Sequence, residues 1–200
     1  MAINTDATKA SDSMVLRKTR RSYDIYGHAR ELTFSCYRRM PLLASERSRH
    51  WLVDSLTRAR TRLRFELWAY VVMPEHVHRL LRPLSEAAEV APILKGIKQG
   101  VARKATNYLR ANNPGWLERL AVRRPTGRVE YRFWQQGGGY DRNILTPKAA
   151  RASIEYIHNN PVRRDLVESP TDWPWSSAHW YAGSDDVLLE MDDLPWDWVS

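Results

Sequence analysis

The sequence predicts an α+β domain built on an antiparallel sheet. Three observations predict it. Short runs of strand-forming residues alternate with longer stretches of helical periodicity. The second and third strand runs are joined by only two residues, too few for a parallel crossover. The chain has 200 residues, 43% of them hydrophobic, which suits one domain with a proper core.

The elements follow in order. Glu31–Arg39 (ELTFSCYRR) is rich in strand formers and reads as a first strand, ended by Pro41. Ser45–Leu63 reads as a helix: Ser45 is its N-cap, and Trp51, Leu52, Leu56, Ala59 and Leu63 recur at helical spacing. Phe65–Met73 (FELWAYVVM) reads as a second strand, Pro74-Glu75 as a tight connection, and His76–Leu81 (HVHRLL) as a third strand antiparallel to the second. Ser85 to Arg110 is a long helical stretch with Pro92 near its beginning, broken by Asn112-Asn113-Pro114-Gly115. Arg128–Trp134 (RVEYRFW) reads as a fourth strand, and Gly137-Gly138-Gly139 as a flexible loop. Pro147–Asn159 reads as a helix with Thr146 as N-cap and Pro147 at its first position, ended or kinked by Pro161. The Trp-rich segment Asp172–Tyr181 adds a last short helix. The order β-α-β-β-α-β is that of the split βαβ, ferredoxin-like pattern, with helices on one face of the sheet and additional C-terminal helices. Residues 1–20 form a basic arm, 21–182 the domain, and 183–200 an acidic, peripheral tail.

Composition narrows the function classes. No apolar run approaches the roughly 18–20 residues that span a bilayer. The polar N-terminus lacks a secretory signal, so a cytoplasmic protein with no membrane partner is expected. The single cysteine, Cys36, excludes an internal disulfide and a multi-cysteine zinc site, and reads as a small side chain packed in a strand. The net charge of +8, the pI of about 9.8 and the dominance of arginine favour a polyanionic partner. Nine tryptophans and nine tyrosines supply rings that either fill the core or stack unpaired bases.

The sharpest local feature is His76-Val77-His78. Side chains alternate across a strand, so both imidazoles point to one face and can grip one cation. By spacing alone, two half-exposed strand histidines are the better reading. Two histidines also leave a cation short of ligands. Tyr156 and Asn160 lie four apart and share a helical face. An amide oxygen from Asn160 could complete a site at which the Tyr156 hydroxyl points. His158 is an alternative ligand, although two positions past Tyr156 it should project to another side of the helix.

YVVMPEHVHRLL (Tyr70–Leu81), FWQQGGGYDRNI (Phe133–Ile144) and YIHNNPVRRDLV (Tyr156–Val167) occur in that order. Together they closely resemble the REP-associated tyrosine transposases of the HUH endonuclease superfamily, relatives of the single-tyrosine insertion-sequence transposases. RSYDIYGHARELTFSCYRR and DWPWSS also resemble this family, so the likeness covers roughly residues 20–181. The resemblance implies that His76 and His78 are paired metal ligands and Tyr156 the nucleophile. Asn160 falls where the third ligand is expected; related transposases often have glutamine there. It implies a single-stranded DNA endonuclease and strand transferase. The partner would be single-stranded or hairpin DNA of short repeated palindromes. The reaction would pass through a 5′-phosphotyrosine, and the chain would be a monomer or a homodimer. Mg²⁺ or Mn²⁺ would serve, since magnesium prefers oxygen ligands and manganese tolerates imidazole well. A phenol is mostly protonated at neutral pH, so the nucleophile needs help, and no dedicated base is visible. Candidate DNA contacts are Arg17, Lys18, Arg20 and Arg21 in the arm, Lys95, Lys98, Arg103 and Lys104 in the long helix, and Tyr140 and Arg142 after the glycines. Glu75 reads as a turn residue, with assistance to the metal as the minor alternative. The competing reading is a non-catalytic single-stranded nucleic-acid-binding domain of the same fold.

Overall fold

A computed structural model describes residues 27–84, 89–137 and 139–195. The elements are β1 (Ala29–Ser35), α1 (Glu46–Leu63), β2 (Phe65–Val72), β3 (His76–Pro83), α2 (Val90–Asn112), α3 (Pro114–Glu118), β4 (Ala121–Arg123), β5 (Val129–Tyr131), β6 (Tyr140–Ile144), α4 (Pro147–His158), α5 (Asn160–Arg163) and α6 (Ala178–Tyr181). Four strands form one antiparallel sheet in the order β2-β3-β1-β6. This is the α+β arrangement expected from the sequence.

The strand pattern divides the core in two. Leu32, Phe34, Val77 and Leu81 face α1 and α2, where they meet Leu52, Leu56, Ile93, Ile97 and Val101. Ala29, Ala69, Val71 and Leu80 face the other way and meet Ala150, Ile154 and Ile157 of α4. The register slips between Leu67 and Ala69, so Trp68 and Ala69 both join the α4 side. Ser45 caps α1 by accepting from the Ser48 amide at 3.3 Å, and Thr146 caps α4 by accepting from Ala149 at 3.2 Å. Pro161 does kink the chain: α4 stops at His158, and α5 restarts at Asn160.

Two expectations need correction. The fourth strand of the sheet is β6, not Arg128–Trp134; within that stretch Val129–Tyr131 pairs with Ala121–Arg123 as a separate hairpin. The segment YDRNI carries little strand signal because only Ile144 is buried in it. An edge strand that lines a polar pocket carries little hydrophobic signal. It is pinned by Arg30, whose Nε and NH2 reach the Asp141 carboxylate at 3.0 and 2.6 Å. Gly139 makes the join possible: its φ is +74°, and a Cβ there would lie 1.9 Å from the Thr33 carbonyl oxygen. The acidic tail is not simply peripheral either. Asp192 takes the Leu67 amide at 2.7 Å, returns its own amide to the Leu67 carbonyl, and pairs with Arg60, while Met191 is buried. With Trp175, whose carbonyl accepts from Val72, it covers the free edge of β2.

Cys36 lies just past β1, fully buried, and burial pushes its thiol up to about 12. Arg79, between the site strand's inward residues, is also buried. Its guanidinium lies over the Phe34 ring at 4.6 Å, and burial brings it down to about 9.

Candidate active site on the face of the sheet that meets α4

The alternation of β3 puts His76 and His78 on the α4 side, both under 8% exposed. Their Nε2 atoms face each other at 2.9 Å. Each Nδ1 has its own partner: Glu75 Oε1 at 3.1 Å for His76, and Thr33 Oγ1 at 2.7 Å for His78. Thr33 stands directly opposite His78 in the β1–β3 register. A carboxylate only accepts, so Nδ1 of His76 carries the proton and Nε2 presents a lone pair. A hydroxyl both donates and accepts, so Thr33 supports either tautomer of His78. In this arrangement His78 donates its Nε2 proton to His76; in the other tautomer Thr33 would accept from Nδ1 and both Nε2 lone pairs would be free. Burial pulls the His78 ring down to about 3 and lowers His76 as well. Both are therefore neutral at pH 7, the form that ligates metals.

Helix α4 supplies the phenol. Its Ala150, Ile154 and Ile157 pack on the sheet, which places Ser153, Tyr156 and, past the kink, Asn160 along a neighbouring stripe. Ser153 donates to Glu31 Oε2 at 2.8 Å, fixing the helix over β1. The Tyr156 ring is 40% exposed and stands edge-on to His78, with centroids 5.6 Å apart. A cavity of about 460 Å³ is lined by Thr33, His78, Tyr140, Arg142, Ser153 and Tyr156 among others. The structure thus gathers one histidine of the pair, the tyrosine and two candidate DNA contacts in one pocket.

Asn160 is buried, and its amide nitrogen donates to the Tyr156 carbonyl at 2.8 Å, so its free amide oxygen is the acceptor left over. Among the described residues, no group of three or more His, Cys, Asp or Glu side chains could hold a metal. His158 faces elsewhere, as its helical position implied: Nε2 lies 2.8 Å from Ser177 Oγ and the ring packs on Tyr181.

The other candidate contacts scatter. Lys98 turns inward, 4.9 Å over the Phe34 ring, with its ammonium toward the Gly137 carbonyl; burial draws it down to about 8. Lys95 and Arg103 are exposed on α2, and Lys104 pairs with Asp54 at 2.8 Å, all on the far side of the sheet from the pocket. Arg17, Lys18, Arg20 and Arg21 lie outside the described residues. Sequence reasoning missed Thr33, which only the strand register reveals. It also missed Arg163, whose guanidinium sits 5.1 Å from the Tyr156 ring centre; the signal was there in the Arg163-Arg164 pair that follows the kink.

No protein-family model matches the chain. It is 25% identical over 164 residues to a putative REP-associated tyrosine transposase of Haemophilus influenzae, covering 78% of this chain and 84% of that one. It is 27% identical over 115 residues to a REP-associated tyrosine transposase of Escherichia coli, covering 58% and 55%. The solved structure of a REP-associated tyrosine transposase bound to a REP hairpin shares the fold, with a TM-score of 0.63 at 23% identity over 90% of this chain and 96% of that one. The chain is a homologue of proteins named REP-associated tyrosine transposase. Among the described residues, no helix is long and apolar enough to cross a membrane.

Proposed function

We propose that the chain is a metal-dependent single-stranded DNA endonuclease and strand transferase acting on REP-type hairpin DNA through a covalent 5′-phosphotyrosine at Tyr156. The observation that carries this reading is the face-to-face pair of Nε2 atoms, 2.9 Å apart, beside the Tyr156 ring. Cis ligands of one cation at about 2.0–2.1 Å would lie about 3 Å apart, so the separation of the pair suits one metal once His78 adopts its other tautomer. His76, His78 and the Asn160 amide oxygen would hold it. A bound divalent ion would supply Lewis-acid polarisation of the scissile phosphate.

The chain's own residues do the rest. Tyr156 Oη gives up its proton and attacks phosphorus, the bond from phosphorus to the DNA 3′-oxygen breaks, and the departing oxygen takes up one proton and leaves as a 3′-hydroxyl. The 5′-phosphate stays on the tyrosine. The same hydroxyl can attack back, so strands are rejoined without an external energy source. Arg163 over the phenol favours the negative charge that develops on attack. Tyr140 and Arg142 border the same pocket, where a ring can stack a base and a guanidinium can hold a phosphate.

The test is incubation with labelled single-stranded hairpin DNA and Mn²⁺, followed by a denaturing gel. Label that migrates with the protein is the expected result. Free 5′-phosphate ends without adduct would instead mean hydrolysis by water. Binding that is indifferent to EDTA, with no cleavage, would mean a non-catalytic binding domain.

A further inference from the structure

We propose that Glu75 and Arg164 form a positioning pair, which fixes the metal-binding form of His76 and ties the histidine strand to the tyrosine helix. The role in metal binding rests on the metal reading above.

Glu75 ends the three-residue connection between β2 and β3, where an ordinary turn residue would be free in solvent. Its side chain is instead only 13% exposed. Its backbone is fixed as well, since its carbonyl accepts from the Cys36 amide at 2.8 Å. One carboxylate oxygen, Oε1, takes both the Nδ1 proton of His76 at 3.1 Å and an Arg164 guanidinium hydrogen at 2.9 Å. Arg164 therefore holds the carboxylate, and the carboxylate holds the imidazole with its Nε2 lone pair turned to His78. Partners of this kind orient a ligating histidine and raise its basicity.

The kink makes the arrangement possible. An unbroken helix would carry residue 164 about 12 Å beyond Tyr156 along the axis. Pro161 prevents that, and α5 turns the chain so that two consecutive arginines serve the two halves of the site. Arg163 lies on the Tyr156 ring, and Arg164 reaches the turn before His76. A shift of the tyrosine segment is thereby felt at the metal histidine.

The experiment measures Mn²⁺ binding to the intact, DNA-free protein, by electron paramagnetic resonance of free Mn²⁺. Glu75→Gln should weaken binding about 10- to 100-fold. Arg164→Gln should weaken it less, and Arg164→Lys should restore most of the loss. The double variant Glu75→Gln/Arg164→Gln should bind no worse than Glu75→Gln alone, because the arginine acts only through the carboxylate. A charge exchange, Glu75→Arg with Arg164→Glu, keeps the ion pair but should not rescue, since a guanidinium cannot accept from His76. Wild-type affinity in both Glu75→Gln and Arg164→Gln overturns the pair, and so does full rescue by the exchange. A wild-type chain that binds no Mn²⁺ overturns the metal reading, and the pair's role with it.

Discussion

The rings of His78 and Tyr156 stand at 87° to each other with 5.6 Å between their centroids, so the phenol is held against the imidazole by ring packing and not by its hydroxyl. Tyr156→Phe should therefore leave the contact, the fold and hairpin binding intact, and remove only the attacking oxygen. The expected outcome is no detectable covalent product on a denaturing gel, with hairpin affinity in a mobility-shift assay within about twofold of wild type, since the ring packing is retained.

Thr33 is the one group that adapts to both tautomers of His78. Thr33→Val keeps the shape and removes the hydroxyl. Mn²⁺ affinity should fall about tenfold or more, while the melting temperature moves little. A variant that binds Mn²⁺ as tightly as wild type would show that the hydroxyl has no part in ligation.

Arg163 brings its charge within 5.1 Å of the ring centre of Tyr156, the proposed nucleophile. An interaction of about 0.5–1 kcal/mol at an exposed site corresponds to a two- to fivefold change in rate. Arg163→Gln should slow single-turnover adduct formation by that factor at saturating hairpin, and Arg163→Lys by less. An unchanged rate would place the guanidinium outside the reaction.

Gly139 has no room for a side chain, because a Cβ would meet the Thr33 carbonyl oxygen at 1.9 Å in a left-handed backbone. Gly139→Ala should cost at least about 2 kcal/mol in urea unfolding. It should also weaken hairpin binding, since β6 carries Tyr140 and Arg142 beside the pocket.

Burial holds His158 down at about 4, against an ordinary value of 6.5. Between those values the unfolded chain binds a proton that the folded chain refuses. Stability therefore rises with pH across that window and is lost as pH falls from about 6.5 to 4. The loss from this residue is about 3 kcal/mol. His158→Gln should make the stability–pH slope shallower there without abolishing it, because His76 and His78 are shifted in the same direction. An unchanged slope would show that His158 titrates alike in both states.

What the sequence made legible followed from periodicity and caps. The helices at Ser45 and Thr146, the hairpin around Pro74-Glu75 and the shared face of His76 and His78 are all local patterns. The fourth strand was not legible, because β6 is polar on both sides and its burial depends on pairing with β1. The site was readable only in part for the same reason. His76, His78, Tyr156 and Asn160 stand out through the family motifs that carry them, spacing alone favouring the plainer readings, but Thr33 and Arg164 acquire their places through register and a kink. No short window of sequence encodes those. Lys98 on a basic helix reads as a surface contact, and the structure sets its ammonium 4.9 Å over the Phe34 ring.

The lone thiol of Cys36 lies at the end of β1, sealed in the core and raised to about 12. In the folded chain it is neither reachable nor ionised at neutral pH, so a maleimide or iodoacetamide has nothing to attack. Modification must wait for the sheet to open. With no second cysteine to confuse the count, the labelling rate becomes an intrinsic clock for that opening. Hairpin DNA or Mn²⁺ that binds only the closed sheet should slow the clock in proportion to its occupancy, and so report binding without any probe attached to the protein.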